Sequence, residues 1–350
     1  MRVELNMIYL VCFSVALLLL LYIMTYGRKI DYNLMLLTVV VAVSNGGYYA
    51  LSVAKTLPEA ILANTISYVL GIFSPMLLFF IVCGVCKVQL PNPVIGIITL
   101  IQILIYASVC TVGRLDIFYT SVQMHLTETG TYLTKTYGPM HTVYLISLAF
   151  YTLANIAVAV YSIRRRTAVS RINVDILLFV DLFSIGVYAN ERMVKTPIEL
   201  MPVASTITLV IMLMLLVKVA IFSPYNNVEI MDTEFNNKGY LVFSKQLKFM
   251  GCSEYAKTLF PEITEWELEK DIPGNGGRFN TYLKPDFMEF VKDNDNQDKS
   301  PVRVYKYNGN VFSYEIGKIF RGPSLMGYYI RVMDVTDVKV EDFGILKKVN

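Results

Sequence analysis

Few side chains able to do chemistry fall inside the apolar stretches of this 350-residue chain, and those few are the informative ones. Asp181 lies near the middle of one stretch, with Asp175 about two turns before it. Asn45 sits in another beside Gly46 and Gly47, Asn155 in a third and Gln102 in a fourth. A carboxyl or carboxamide group is costly in such surroundings unless it is hydrogen-bonded or functional. Two readings stand side by side: a polar ligand or proton pathway, or interhelical hydrogen bonds, with Gly46 and Gly47 letting helices approach closely. His125 and His141 have no cysteine or carboxylate at metal-ligand spacing, so no metal site is expected. Cys83 and Cys86 form a C-x-x-C at the C-terminal end of an apolar run, whereas thiol activation favours a helix N-terminus. The five cysteines are scattered and odd in number, which excludes a fully paired disulfide framework.

The elements that must position these groups are bilayer-spanning helices. Of the 59 charged side chains, 23 precede Ser223 and 36 follow it, so a lipid-facing body is joined to a soluble domain. Crossing a hydrocarbon core takes about 20 apolar residues. Seven runs qualify: Met7–Thr25, Leu34–Ala54, Ala60–Cys83, Val94–Cys110, Met140–Ile163, Ile172–Ala189 and Ile198–Phe222. The first has no small-residue cleavage site after it and reads as a span rather than a signal peptide. Arg28, Lys29, Lys87, Arg164, Arg165, Arg166 and Arg171 fall in alternate loops, which assigns those loops to the cytoplasm. The N-terminus is then outside and the C-terminal domain inside, in a multi-pass protein of the plasma membrane. A net charge of +3 with no basic stripe argues against nucleic acid as a partner.

Thr111–Pro139 reads as the one sizeable external loop, either sensing a ligand or capping the bundle. It carries Arg114, Asp116, Tyr119, His125, Tyr132, Lys135 and Tyr137, and His141 opens the next span. Asp181, Asn45, Tyr119, Tyr137 and His141 are the ligand-sensing candidates; no catalytic residue is expected.

Three runs carry a resemblance: Pro58-Glu59-Ala60-Ile61-Leu62-Ala63-Asn64 into Ser67-Tyr68, then Phe118-Tyr119-Thr120-Ser121-Val122, then Tyr137-Gly138-Pro139-Met140-His141-Thr142-Val143-Tyr144. Over roughly residues 8–223 the chain resembles the seven-helix sensor region at the N-terminus of certain bacterial histidine kinases and diguanylate cyclases. The resemblance implies a receptor-like module coupled to a cytoplasmic output, embedded in the lipid bilayer and responding to a small-molecule or lipid ligand.

Beyond Ser223-Pro224 the pattern becomes strands at Gly239–Phe243 and Gln246–Met250, a short helix Ser253–Leu259, and a Gly-rich loop Asp271–Arg278. An amphipathic helix Lys284–Lys292 and strands at Val302–Tyr307, Val311–Arg321 and Gly327–Val335 follow, with Asn308-Gly309-Asn310 as a hairpin turn. This order resembles a PAS domain over about residues 228–337, strengthened by Asp334-Val335-Thr336, similar to the run at which such domains hand over to their output. The resemblance implies a homodimer through that domain and a downstream signalling partner. No cofactor is expected: no histidine follows His141 for haem, Cys252 lacks a flavin-photosensor context, and Gly274–Gly277 is no phosphate loop. The aromatics Phe249, Phe260, Trp266, Phe279, Phe287, Phe290 and Phe312 suffice for a packed core.

The expected architecture is a membrane all-α seven-helix bundle plus a small α+β PAS-like cytoplasmic domain. The bundle spans 1–222, a short linker 223–227, the PAS-like domain 228–337 and a tail 338–350. The tail holds no kinase or cyclase signature, so the chain reads as a sensor without its own output enzyme, either a truncation or a stand-alone partner-dependent module. The competing class is a transporter or channel with a regulatory soluble domain. It is disfavoured by the lack of an internal repeat and the scarcity of intramembrane charge.

Overall fold

The computed structural model describes residues 5–25, 31–127, 130–164, 170–194, 199–222, 238–274, 277–292, 298–321 and 324–336. Seven helices long and apolar enough to cross a membrane come first: α1 (Leu5–Thr25), α2 (Tyr32–Val53), α3 (Leu57–Val85), α4 (Asn92–Val109), α5 (Pro139–Arg164), α6 (Arg171–Val194) and α7 (Met201–Phe222). Prolines mark where they start. Pro58, Pro93, Pro139 and Pro202 all fall in the first turn, where a missing N–H costs nothing. Asp31 caps α2 by accepting from the Asn33 N–H at 2.7 Å. Thr56 and Glu59 form a reciprocal capping box on α3.

The sixth span is longer than the hydropathy pattern predicts. It runs on past Ala189 to Val194, so Glu191 and Arg192 belong to a helix end rather than a loop. The segment between α4 and α5 departs further from the expected loop. It contains a β-hairpin, β1 (Tyr119–Thr127) and β2 (Gly130–Tyr137), antiparallel, with Val122 opposite Lys135 and Leu126 opposite Thr131. The hairpin lies against the α2–α3 end of the bundle. Leu133, Val122 and Met124 pack on Leu51, Ala54, Ala60 and Ala63, and the Thr131 hydroxyl donates to the Ala54 carbonyl at 2.7 Å.

The closest helix contact is between α2 and α3. A methyl group added at Gly47 would meet the backbone N of Ser67 at 2.6 Å and the Ala63 carbonyl at 3.0 Å. The Ser44 hydroxyl donates across the same seam to the Ser67 carbonyl at 2.6 Å. Gly46 faces the other way, toward the Phe13 ring of α1.

The second compact unit holds a five-stranded antiparallel sheet in the order β4-β3-β7-β6-β5. Its strands are β3 (Lys238–Ser244), β4 (Phe249–Cys252), β5 (Arg303–Tyr307), β6 (Asn310–Arg321) and β7 (Ser324–Asp334). Between β4 and β5 run α8 (Glu254–Leu259), a 3-10 turn at Pro261–Glu265, a π turn at Phe279–Leu283 and α9 (Lys284–Lys292). One face of the sheet, with these helices, encloses all seven aromatics named from the sequence; six are buried and Phe290 is partly so. Trp266 stands edge-on to Phe249 at 5.2 Å and Phe279 at 5.0 Å between ring centroids. Asn308 and Gly309 both take positive φ, which makes the hairpin of β5 and β6. β4 starts later than the sequence pattern suggests, because Leu247 adopts a left-handed φ of 62° in a turn closed by its own N–H to Ser244.

The α2–α3 seam gives a sharp expectation. Gly47→Ala pushes a methyl group into the α3 backbone and should destabilise the bundle by about 1–3 kcal/mol. Gly46→Ala meets only a ring edge that can move, and should cost clearly less. Unfolding midpoints of the two variants in the same detergent test the order; equal midpoints would contradict it.

Candidate functional site

Two polar features stand out in the apolar bundle. The first is a cavity of about 470 Å³ lined by residues of α2, α3, α5, α6 and α7. Asp181 of α6 lies on its wall with Ser74 and Pro75 of α3, Thr152 of α5, Ser184 of α6, and Ser205 and Thr208 of α7. Asp181 is 4% exposed, and its Oδ2 has no hydrogen-bond partner. Asn155 on α5, fully buried, approaches that carboxyl group, but its amide closes no hydrogen bond within the protein.

The second is a cluster of rings and charges at the hairpin end of the bundle. Arg192 reaches back from the last turn of α6 and donates to the Tyr188 hydroxyl at 2.9 Å and to His141 Nε2 at 3.3 Å. A guanidinium can only donate, so that imidazole nitrogen accepts and His141 is held as the neutral ring. Tyr137 stacks on His141 with ring centroids 4.0 Å apart, and the Arg192 guanidinium lies 4.4 Å from the Tyr137 ring. Phe118, Tyr119, Tyr68 and Tyr144 continue the cluster edge to face. Burial, with Tyr68 beside it, pushes the Tyr119 phenol well above the ordinary tyrosine value. Lys135 of β2 pairs with Glu199 at 3.7 Å, and the Glu199 backbone is bonded in both directions to the Tyr9 hydroxyl of α1. Tyr144 and Tyr188 belong to the cluster and also line the cavity, so the two features are continuous.

Of the candidates named from the sequence, Tyr119, Tyr137 and His141 are brought together in the cluster and Asp181 onto the cavity wall. Asn45 is in neither lining nor cluster, but its Oδ1 lies 3.5 Å from the hydroxyl of Ser205 on the cavity wall. Its Nδ2 donates to the Thr206 hydroxyl at 3.0 Å, which ties α2 to α7, the interhelical reading of that residue. His125 faces across the hairpin, stacked on Tyr132, and joins neither feature. The sequence reading missed Arg192 and Tyr188 as partners. Their i, i+4 spacing was a usable signal, but only on a helix continued past Ala189.

Glu191 closes the hairpin end of α7. Its Oε1 accepts from the N–H groups of Leu200 and, at 2.7 Å, Met201, placing a carboxyl group at a helix N-terminus. Glu191→Ala should loosen the first turn of α7 and cost about 1 kcal/mol, with Glu191→Gln intermediate because its oxygen still accepts. Amide exchange at residues 201–204 should quicken in the order wild type, Gln, Ala; no difference would remove the cap from the account.

Comparison with curated proteins and with solved structures finds no match. Residues 8–224, more than half of the chain and the whole of the apolar bundle bar its first turn, match the family described as the N-terminal 7TM region of histidine kinase. This region is the membrane-embedded, non-catalytic sensing part of such kinases. That match, over a region that holds all seven apolar helices, makes this chain a member of the histidine-kinase N-terminal seven-transmembrane family.

Proposed function

We propose that the bundle senses a small-molecule or lipid ligand, or the state of the membrane, and passes a conformational signal along α7 to a PAS-like cytoplasmic domain. The observation that carries this reading is the cavity. It is lined by five helices and α7 supplies part of its wall, so an occupant touches the helix that leads in sequence to the second unit. Asp181 acts from the cavity wall, while Tyr119, Tyr137 and His141 act from the cluster beside it. Asn45 sets the resting position of α7.

In this reading residues 1–222 are the sensor bundle and 228–337 the PAS-like domain, joined by a linker at 223–227. The linker, the tail 338–350 and the basic residues Arg28, Lys29, Arg165 and Arg166 lie outside the described residues. The PAS assignment is supported by the order of two strands, helices and three strands. The Asp334-Val335-Thr336 run supports it too: the Val311 N–H donates to the Thr336 hydroxyl at 2.9 Å, and Thr336 donates in turn to Asp334. A homodimer through this domain and a downstream signalling partner would carry the output. The excess of Lys and Arg in alternate loops supports a plasma-membrane orientation with the N-terminus outside and this domain inside.

Two native cysteines test the orientation. Cys110, exposed at the hairpin end of α4, should react with a membrane-impermeant maleimide on intact cells, and Cys252, on β4 of the second unit, only after lysis. Labelling of Cys252 on intact cells would sink it. The sensing role is tested by a thermal-shift screen of small apolar compounds on the whole chain and on Ser184→Phe, which fills the cavity. Stabilising compounds should lose their effect in the variant. Compounds that stabilise both equally, or substrate flux across proteoliposomes, would overturn the sensor reading in favour of a scaffold or a transporter.

A further inference from the structure

The wall chemistry of the cavity narrows what it takes, granted the reading of it as the sensing site. Asp181 presents a carboxyl oxygen with no protein partner. Three of the hydroxyls around it have spent their protons on their own helices: Thr152 donates to the Leu148 carbonyl at 3.1 Å, Ser184 to Val180 at 2.8 Å and Thr208 to Ser205 at 3.0 Å. What each of these turns outward is a lone pair. Pro75, having no N–H, cannot give the Gly71 carbonyl its usual helical bond, and both residues are on the wall. No Lys, Arg or His lines the cavity among the described residues. The tyrosine hydroxyls that reach it, Tyr144 and Tyr188, belong to the hairpin-end cluster; Tyr188 lies about 10 Å further along α6 than Asp181 by the helical rise. Around Asp181 the cavity therefore offers mainly acceptors, with the Asn155 amide and the Ser74 hydroxyl as the neutral donors at hand, and one carboxyl group with no cationic side chain among the described residues lining it.

Its mouth faces sideways. Leu145 and Leu153 of α5 line the cavity yet are 40% and 67% exposed on the outer surface of the bundle, where acyl chains lie. An occupant can come from the bilayer without crossing the hairpin.

We propose that the cavity takes a lipophilic amine, with its ammonium group against Asp181 and its hydrocarbon part among the leucines. An ammonium brings three donors and a positive charge to a wall of acceptors and one carboxyl group, in surroundings where a charge pair is weakly screened. An alcohol brings one donor and no charge. A carboxylate or phosphate sets acceptor against acceptor.

The test is equilibrium binding of radiolabelled octylamine, octanol and octanoate to the whole chain in nanodiscs, scored as the saturable component over empty nanodiscs. Octylamine should bind at least tenfold more tightly than either of the others. Asp181→Asn should weaken octylamine at least tenfold and leave octanol unchanged, while Asp181→Glu, which keeps the carboxyl group, should retain the preference. Ser184→Phe should abolish all saturable binding. Octylamine and octanol binding equally, or octanoate binding best, with Ser184→Phe still abolishing binding, would overturn the amine and leave the sensing cavity standing. No saturable binding of any of the three would overturn both. Should the Asp181 variants fail to fold, the three-ligand comparison on the wild type decides alone.

Discussion

The bundle is governed by the cost of leaving a hydrogen-bonding group unsatisfied in hydrocarbon. Most polar side chains in α1–α7 meet it in the cheapest way, by folding a hydroxyl back onto a carbonyl three or four residues earlier. Ser14, Thr25, Thr38, Thr65, Thr99, Ser147 and Thr206 all do so. A few reach across helices instead, as Gln102 does in donating to the Tyr151 hydroxyl at 2.8 Å. Against that background some unmet groups are scattered, as at Gln102 Oε1, Ser162 and Asn173, and others fall in pairs. Asp181 and Asn155 lie at the cavity, and Asn64 and Tyr119 lie together under the hairpin.

Close packing and openness divide along the same lines. α2 and α3 are locked by the backbone contact at Gly47 and by the Ser44 hydroxyl, a rigid pair with no room to slide. α5 and α6 carry large exposed apolar residues such as Phe150, Leu153, Phe179 and Leu182 on their outer surfaces. The cavity sits between this pair and α5, α6 and α7. That is where an occupant can be admitted without breaking the α2–α3 seam.

The seven spans were legible because lipid imposes length and composition on every one of them, and the boundaries differ from the sequence reading mainly at polar ends. The aromatic core of the second unit was legible for the equivalent reason in water. The hairpin was not. Its strands alternate, with Val122 and Met124 inward and Gln123 outward, but threonine and tyrosine occupy both faces and blur the period. The cavity wall was legible only in part. Asp181 announced itself as a carboxyl group in an apolar run, whereas Thr152, Ser184 and Thr208 look like any small polar residue in a membrane helix. Only the direction of their hydroxyl protons gives them meaning, and that is set by backbone geometry rather than residue type. Asn45 shows the converse: its type left ligand contact and interhelical bonding side by side, and the partner it bonds, Thr206 on α7, could not be read from the sequence.

α7 is where these constraints meet. One side of it is tied to α2 through Asn45 and Thr206, and its start is capped by Glu191, itself next to Arg192. Another side, at Ser205, Thr208 and Met212, is cavity wall. Ser205 even belongs to both, since its hydroxyl lies 3.5 Å from Asn45 Oδ1. Beside these bonds α7 is packed through Ala204, Leu209, Met212, Leu213 and Leu216, all buried, so an occupant that presses on the wall works against apolar packing as well as against hydrogen bonds. Tertiary hydrogen bonds of this kind are worth about 1 kcal/mol each in a membrane. In the proposed reading the extent to which a ligand shifts α7 is set by its differential affinity for the two positions and not by its total affinity.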